Sequence, residues 1–120
     1  MTINEAIMLA DELRPNAFDD DVKAMWLSEL DGKIEREVFK SEKTVPYVLP
    51  VDGEAELLVK HPHSDIYPLY IVAMIDFYNN DIDKYMNSMI EFNSKYDIFA
   101  KWYQRNNMPK SSGRGFKNLF

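Results

Sequence analysis

The sequence of 120 residues predicts an all-α protein, a small helical bundle, and three observations lead to that class. Apolar residues recur at spacings of three and four in four separate stretches, which is the period of an amphipathic helix. Capping residues or acids precede these stretches, as is typical of helix N-termini. Between the second and third stretches lies a segment with three prolines, residues 41–62, in which a long central strand is disfavoured.

The first predicted helix begins at Thr2, because Glu5 follows three residues later at the spacing of a capping box. Its apolar face consists of Ile3, Ile7, Met8 and Leu13. Pro15 disfavours helical backbone at Arg14, so the helix is expected to stop there.

The second predicted helix follows three acids, Asp19, Asp20 and Asp21, and runs to about Phe39. The acids lack the alternating oxygen ligands and glycine of a calcium loop, whereas negative charge is favourable at a helix N-terminus. We therefore assign them to the start of the helix. Its apolar stripe consists of Val22, Met25, Trp26, Leu30, Ile34 and Val38.

Residues 41–62 predict a loop or a weak hairpin. Asp52 and Gly53 are a turn signal between two β-favouring runs. Pro46 and Pro50 each remove a backbone donor that a sheet would need.

The third and fourth predicted helices form an antiparallel hairpin. Ser64 or Asp65 caps the third helix, which runs to about Asn79 and tolerates Pro68 in its first turn. The short link at residues 79–81 makes the two helices antiparallel neighbours. The fourth helix is the longest, and the stripe expected to face the core consists of Ile82, Tyr85, Met86, Met89, Phe92, Asn93, Tyr96, Phe99 and Tyr103.

The third helix is apolar on nearly all sides, which is typical of a central helix. Its three neighbours each offer a single apolar stripe, so we expect cover from the middle segment and from a second copy of the chain. The residues predicted for that subunit interface are Ile71, Met74, Ile75 and Asp76. Asp76 is expected to pair with a lysine, an arginine or a tyrosine hydroxyl from this chain or from a neighbouring copy, since a buried carboxylate needs a partner.

Composition and motifs argue against several classes of protein. An apolar share of 46% is too high for a disordered chain, and no apolar run reaches the length of a membrane span. The chain has no cysteine, and His61 with His63 has no third histidine, so we predict no disulfide, metal site or cofactor. Phosphate-binding, nucleophile-elbow and dinucleotide motifs are absent, so we predict no catalytic residue and no enzyme activity.

Charge and composition divide the chain into a domain at 1–109 and a flexible C-terminal arm at 110–120. Residues 1–60 contain 14 acids and 7 bases, whereas from Lys101 onward there are five bases and no acid. The arm is therefore the expected contact for an anionic or protein partner. Its candidate docking residues are Lys110, Arg114, Phe116, Lys117, Leu119 and Phe120.

Three stretches carry a resemblance to a known family: residues 1–38, 55–93 and 99–109. Their distinctive features are Trp26-Leu27 with Leu30-Asp31, the run "ELLV" at 56–59, and the helix end "IDFYN" at 75–79. In this order they resemble the small head–tail connector, or adaptor, proteins encoded by tailed phages and prophages of Gram-positive bacteria.

The resemblance implies a bundle of four or five helices and a structural role without a reaction. It implies a ring in the virion, a dodecamer, below the portal protein, with a subunit that can be monomeric in the host cytoplasm before assembly. The ring would extend the DNA channel, make passing contact with DNA, and present a platform to the next neck or tail-completion protein. The arm at 110–120 would dock on the portal.

Two other functions stay open at this stage. A small helical DNA-associated or regulatory protein would use its basic C-terminus, and there the acidic N-terminal half would be unfavourable. An enzyme of unrecognised type would use Asp76 or the pair His61 and His63. We rank the connector first and the enzyme last.

Overall fold

The predicted all-α class is confirmed in the computed structural model, which describes residues 1–42 and 46–107. Four helices follow in order, α1 (Ile3–Leu13), α2 (Asp20–Glu37), α3 (Ile66–Tyr78) and α4 (Ile82–Asn107). The described ranges contain no strand, and a single antiparallel bridge joins Thr2 to Glu56. None of the described helices combines the length and the apolar character that crossing a membrane would require.

The capping box at the start of α1 is present as predicted. The Glu5 backbone N–H donates to Thr2 Oγ1 at 3.1 Å, and the Thr2 N–H donates to Glu5 Oε1 at 2.8 Å. Asp19 occupies the N-cap position of α2, but its side chain makes no capping hydrogen bond. The acids there therefore act through their charge, with Asp20 and Asp21 in the first turn of the helix.

The segment between α2 and α3 is irregular, as predicted, and part of it is tied to the N-terminus of α1. Ile3 N donates to Ala55 O at 3.2 Å, and Leu57 N donates to Met1 O at 3.0 Å. Leu57 and Val59 are fully buried and join the core formed by the helices. The segment therefore contributes to the core as well as connecting two helices.

The antiparallel hairpin of α3 and α4 is also present. Asn80 has a φ of 58°, a left-handed conformation that asparagine tolerates better than most residues, and it reverses the chain after α3. The ring of Phe77 contacts Tyr85, and the ring of Tyr70 contacts Phe92, so residues further back in α3 meet residues further along α4.

α3 lies at the centre of the fold and contacts each of the other three helices. Ile71 and Ile75 are 0% exposed. The expected cover from the middle segment is confirmed, because its Leu57 and Val59 lie in the same core. The expected need for a second copy is wrong, because α1, α2, α4 and this segment together surround the helix. Only its last turn is open, where Phe77 and Tyr78 are exposed.

α4 is covered less than its apolar stripe predicts. Phe92 and Phe99 are buried, and Tyr85, Met89, Tyr96 and Tyr103 are half-buried. Ile82, Met86 and Asn93 are exposed, so their assignment to the core-facing stripe is wrong. The reason is geometric, since α4 has 26 residues and α3 has 13, and among the described helices only α3 makes extensive contacts with α4.

Candidate functional site

Asp31 is the most deeply buried carboxylate, and it lies on the inward side of α2 at 0% exposure. Tyr67 of α3 donates its hydroxyl hydrogen to Asp31 Oδ1 at 2.6 Å, and Tyr47 of the irregular segment donates to Oδ2. The Leu58 backbone N–H donates to Oδ2 at 3.3 Å. Tyr67 Oη in turn accepts the Val59 N–H at 2.8 Å. The network joins α2, α3 and the irregular segment at one point.

Burial raises the pKa of Asp31 above its ordinary value of 3.8. The hydrogen bonds from Tyr47, Tyr67 and Leu58 oppose this shift, and the nearby carboxylate of Glu35 adds to it. Burial and the charge of Asp31 also raise the pKa values of both tyrosine hydroxyls. The tyrosines therefore stay neutral and act as hydrogen-bond donors to the carboxylate.

The chemistry available to this network is structural. Within residues 1–42 and 46–107 no cation forms an ion pair with Asp31, and the side chains that bind this carboxylate close it from solvent. A general base would need a path for its substrate, and at 0% exposure none leads to this carboxylate. Asp31 was named only within the pair Leu30-Asp31 of the resemblance, and its burial was not predicted. Leu27, Asp31 and Ile34 share one helical face, and this pattern indicates a carboxylate among core residues.

Asp76 is paired within its own chain, as one of the expected alternatives stated. Arg14, just after α1, places Nη2 at 3.1 Å from Oδ2 and Nε at 2.9 Å from Oδ1. Ser88 of α4 donates its hydroxyl hydrogen to Oδ2 at 2.8 Å. Asp76 is 2% exposed, and these contacts of its carboxylate connect α1, α3 and α4 inside the subunit.

The predicted subunit interface on α3 therefore needs correction. Ile71, Ile75 and Asp76 are buried inside the subunit, and Met74 is half-buried against the same core. The three buried side chains are already in contact with their own chain, so they are not a free surface for another copy. The interface prediction is wrong for Ile71, Ile75 and Asp76 on this ground, and for Met74 it stays a prediction.

A different set of apolar side chains is exposed on α4, in a row that winds around the helix. Ile82, Met86, Ile90 and Ile98 are 57%, 57%, 67% and 54% exposed. They follow one another at intervals of four, with Ser94 at the missing step, which is the ridge that helices use when they pack together. We call these four side chains the α4 ridge, and it spans about 24 Å at 1.5 Å per residue. Ile82 and Met86 belonged to the predicted core-facing stripe, and Ile90 and Ile98 were not among the predicted interface residues.

His61 and His63 lie at a groove between the irregular segment and the C-terminal half of α4. The His63 ring lies 4.9 Å from the Trp102 ring and 5.7 Å from the Phe99 ring, measured between centroids. Within residues 1–42 and 46–107, no group of three histidine, aspartate or glutamate side chains could hold a metal ion. In this structure His63 packs as an aromatic ring.

The predicted docking residues Lys110, Arg114, Phe116, Lys117, Leu119 and Phe120 lie outside the described residues, as does the domain boundary after Pro109. Comparisons with protein-family models, with curated proteins and with solved structures found no match. The fold and the surfaces described above define a class, a four-helix protein with internally paired carboxylates and an exposed apolar ridge on its longest helix.

Proposed function

We propose that this protein is a structural component of a phage virion, a head–tail connector whose subunits form a ring below the portal protein. The observation that carries the proposal is the α4 ridge, where four large aliphatic side chains are more than half exposed in one row. Exposed apolar side chains that neighbour one another, as Ile82, Met86 and Ile90 do, usually mark an interaction surface on a small protein. A row at intervals of four is also the geometry that a helix of a neighbouring subunit can pack against.

In this proposal the subunits associate through the α4 ridge and not through α3, which was the predicted interface. A head-to-tail contact pairs this ridge with a different surface of the next subunit, and such contacts close into a ring when the rotation per subunit permits. The three stretches that resemble connector proteins supply the biological setting, which is the neck between head and tail. The portal protein on one side, the next neck or tail-completion protein on the other, and DNA passing through the channel are the partners in this proposal.

Charge supports the same proposal. All 20 acids of the chain fall within residues 1–107, together with 11 of the 14 bases. A surface with this excess of acid repels phosphate, so DNA would pass a channel of such subunits without adsorbing. The basic arm, with Lys110, Arg114 and Lys117, is the segment proposed to dock on the portal.

The ring is tested by changing the ridge without changing the fold. Ile90→Glu puts a charge at a position that is 67% exposed, where glutamate is a good helix former, so the helical content and Tm should stay near those of the wild type. Val51→Glu is the matched control, because Val51 is an aliphatic residue 83% exposed outside the helices. Negative-stain images of each protein, alone and mixed with the portal protein, should show annular particles for the wild type and Val51→Glu only.

Salt separates this proposal from a DNA-associated protein. A ring closed by apolar contacts should persist at high ionic strength, whereas DNA binding through the basic C-terminus should weaken steeply. Annuli that are lost at high salt, together with tight DNA binding at low salt, would favour the DNA-associated function. Annuli that survive Ile90→Glu would remove the α4 ridge from the interface.

A further inference from the structure

The groove beside His63 is a second apolar surface, distinct from the α4 ridge, and it has a volume of about 300 Å³. Phe99 and Val59 are buried residues of its wall, and Trp102 is 39% exposed there. The Phe39 ring lies 4.8 Å from the Tyr103 ring on another part of the wall. The volume is at the small end of the roughly 300–1,000 Å³ typical of ligand sites, so it suits a few side chains.

The described chain ends at this groove. Asn107 is the last residue of α4 and also lines the groove, so the next residues start beside it. Pro109 disfavours a continuation of the helix, because proline clashes with the preceding turn and restricts the residue before it. Gly113 and Gly115 then permit a reversal of direction.

Length and composition fit the segment 108–120 to the groove. Phe116 follows Asn107 by nine positions, which an extended chain can span over about 30 Å. The groove runs along α4 from Phe99 to Asn107, only about 12 Å at the helical rise. The segment carries three apolar side chains near its end, Phe116, Leu119 and Phe120.

Tethering favours the chain's own segment over a separate partner. A covalently attached segment acts at an effective concentration near the millimolar range, so a weak contact is enough to keep it bound.

We propose that, in the free subunit, the apolar side chains of Phe116, Leu119 and Phe120 occupy the groove of their own chain and cover Trp102. This inference goes beyond the connector function and does not depend on it, since the groove is a separate surface from the α4 ridge. It assigns the segment a resting site on the subunit itself. In a connector, a portal would have to displace the segment from that site.

The test uses tryptophan fluorescence on the full chain. Trp26 is 2% exposed in the core and Trp102 is 39% exposed in the open groove, so acrylamide quenching reports mainly on Trp102. Replacing Phe116, Leu119 and Phe120 together by serine should raise the quenching constant by about twofold, because the indole ring loses its apolar cover. Met108→Ser is the matched control, because it also removes an apolar side chain from the segment but leaves Phe116, Leu119 and Phe120 in place. It should leave the quenching constant unchanged.

Two further measurements keep the result interpretable. Trp102→Phe in both backgrounds should abolish the difference in quenching, which assigns the signal to this ring. Wild-type protection should also be independent of protein concentration. Equal quenching in the wild type and the triple variant would overturn the proposal. Protection that disappears on dilution, together with a fall in particle mass, would overturn it in favour of a segment supplied by a second copy.

Discussion

Removal of the Tyr67 hydroxyl should destabilise the fold more than removal of the other tyrosine hydroxyl in the Asp31 network, that of Tyr47. Tyr67 is 0% exposed, and its Oη both donates to Asp31 Oδ1 at 2.6 Å and accepts the Val59 N–H at 2.8 Å. Tyr67→Phe therefore loses a hydrogen bond to a carboxylate and leaves a buried backbone N–H without a partner. No exposed surface is altered, so the effect reports on the network itself.

The magnitude follows from these two contacts. A hydrogen bond to a charged group contributes about 1.5–3 kcal/mol, and a buried unsatisfied donor costs about 1–3 kcal/mol. With partial relaxation around the smaller side chain, we expect a loss of about 3–4 kcal/mol in the free energy of unfolding. Domains of this kind have only about 5–15 kcal/mol in total, so the variant should remain folded but with a much lower midpoint. At about 4 °C per kcal/mol, Tm should fall by roughly 12–16 °C.

The assay is urea denaturation followed by far-ultraviolet circular dichroism, with Tyr47→Phe as the matched control. Tyr47 is half-buried and makes one hydrogen bond to the same carboxylate, so its loss should amount to only about 1–2 kcal/mol. A double-mutant cycle of Tyr67→Phe with Asp31→Asn should show a coupling of about 1–2 kcal/mol. If Tyr67→Phe lies within about 0.5 kcal/mol of the wild type, the network does not hold the irregular segment to the helices.

Three further predictions follow from the buried groups. Burial raises the pKa of Asp31 above 3.8, so the folded state binds more protons than the unfolded state, and the stability of the wild type relative to Asp31→Asn should fall as pH rises from about 4 through the raised pKa. Unfolding free energies of both proteins measured from pH 3 to pH 8 check this, and a stability difference that rises with pH would contradict it. Arg14→Met leaves the Asp76 carboxylate without its cation and should lower the unfolding free energy by about 2–4 kcal/mol, while adding Asp76→Asn should restore part of the loss in the same denaturation assay. A Cβ at Gly53 would lie 2.5 Å from Asn4 Nδ2, so Gly53→Ala should lower Tm by a few degrees, about 1 kcal/mol, and should have a smaller effect in an Asn4→Ala background.

The local features of the fold were predictable from the sequence. The capping box of Thr2 and Glu5, the stop at Pro15 and the short link at residues 79–81 each act within a few residues, so the printed sequence contains the whole interaction. The irregular character of the segment between α2 and α3 was predictable for the same reason, since its prolines act locally.

The cover of α3 could not be predicted in this way. Leu57 and Val59 belong to a segment without helical period, and no pattern in it indicates how much of α3 it covers. The cover was therefore expected to be shared between this segment and a second copy, with Ile71, Met74, Ile75 and Asp76 at an interface. The structure buries Ile71, Ile75 and Asp76 inside the subunit.

By itself the sequence determined the helices, because periodicity and capping depend on neighbours three or four residues apart. Only the tertiary structure decided which faces are buried, since Asp31 meets Tyr67 across 36 positions and Arg14 meets Asp76 across 62. The same applies to α4, where Met86 has core spacing but none of the other three described helices covers it. Burial depends on what packs above a residue, and that information is spread over the whole chain rather than held in any one segment.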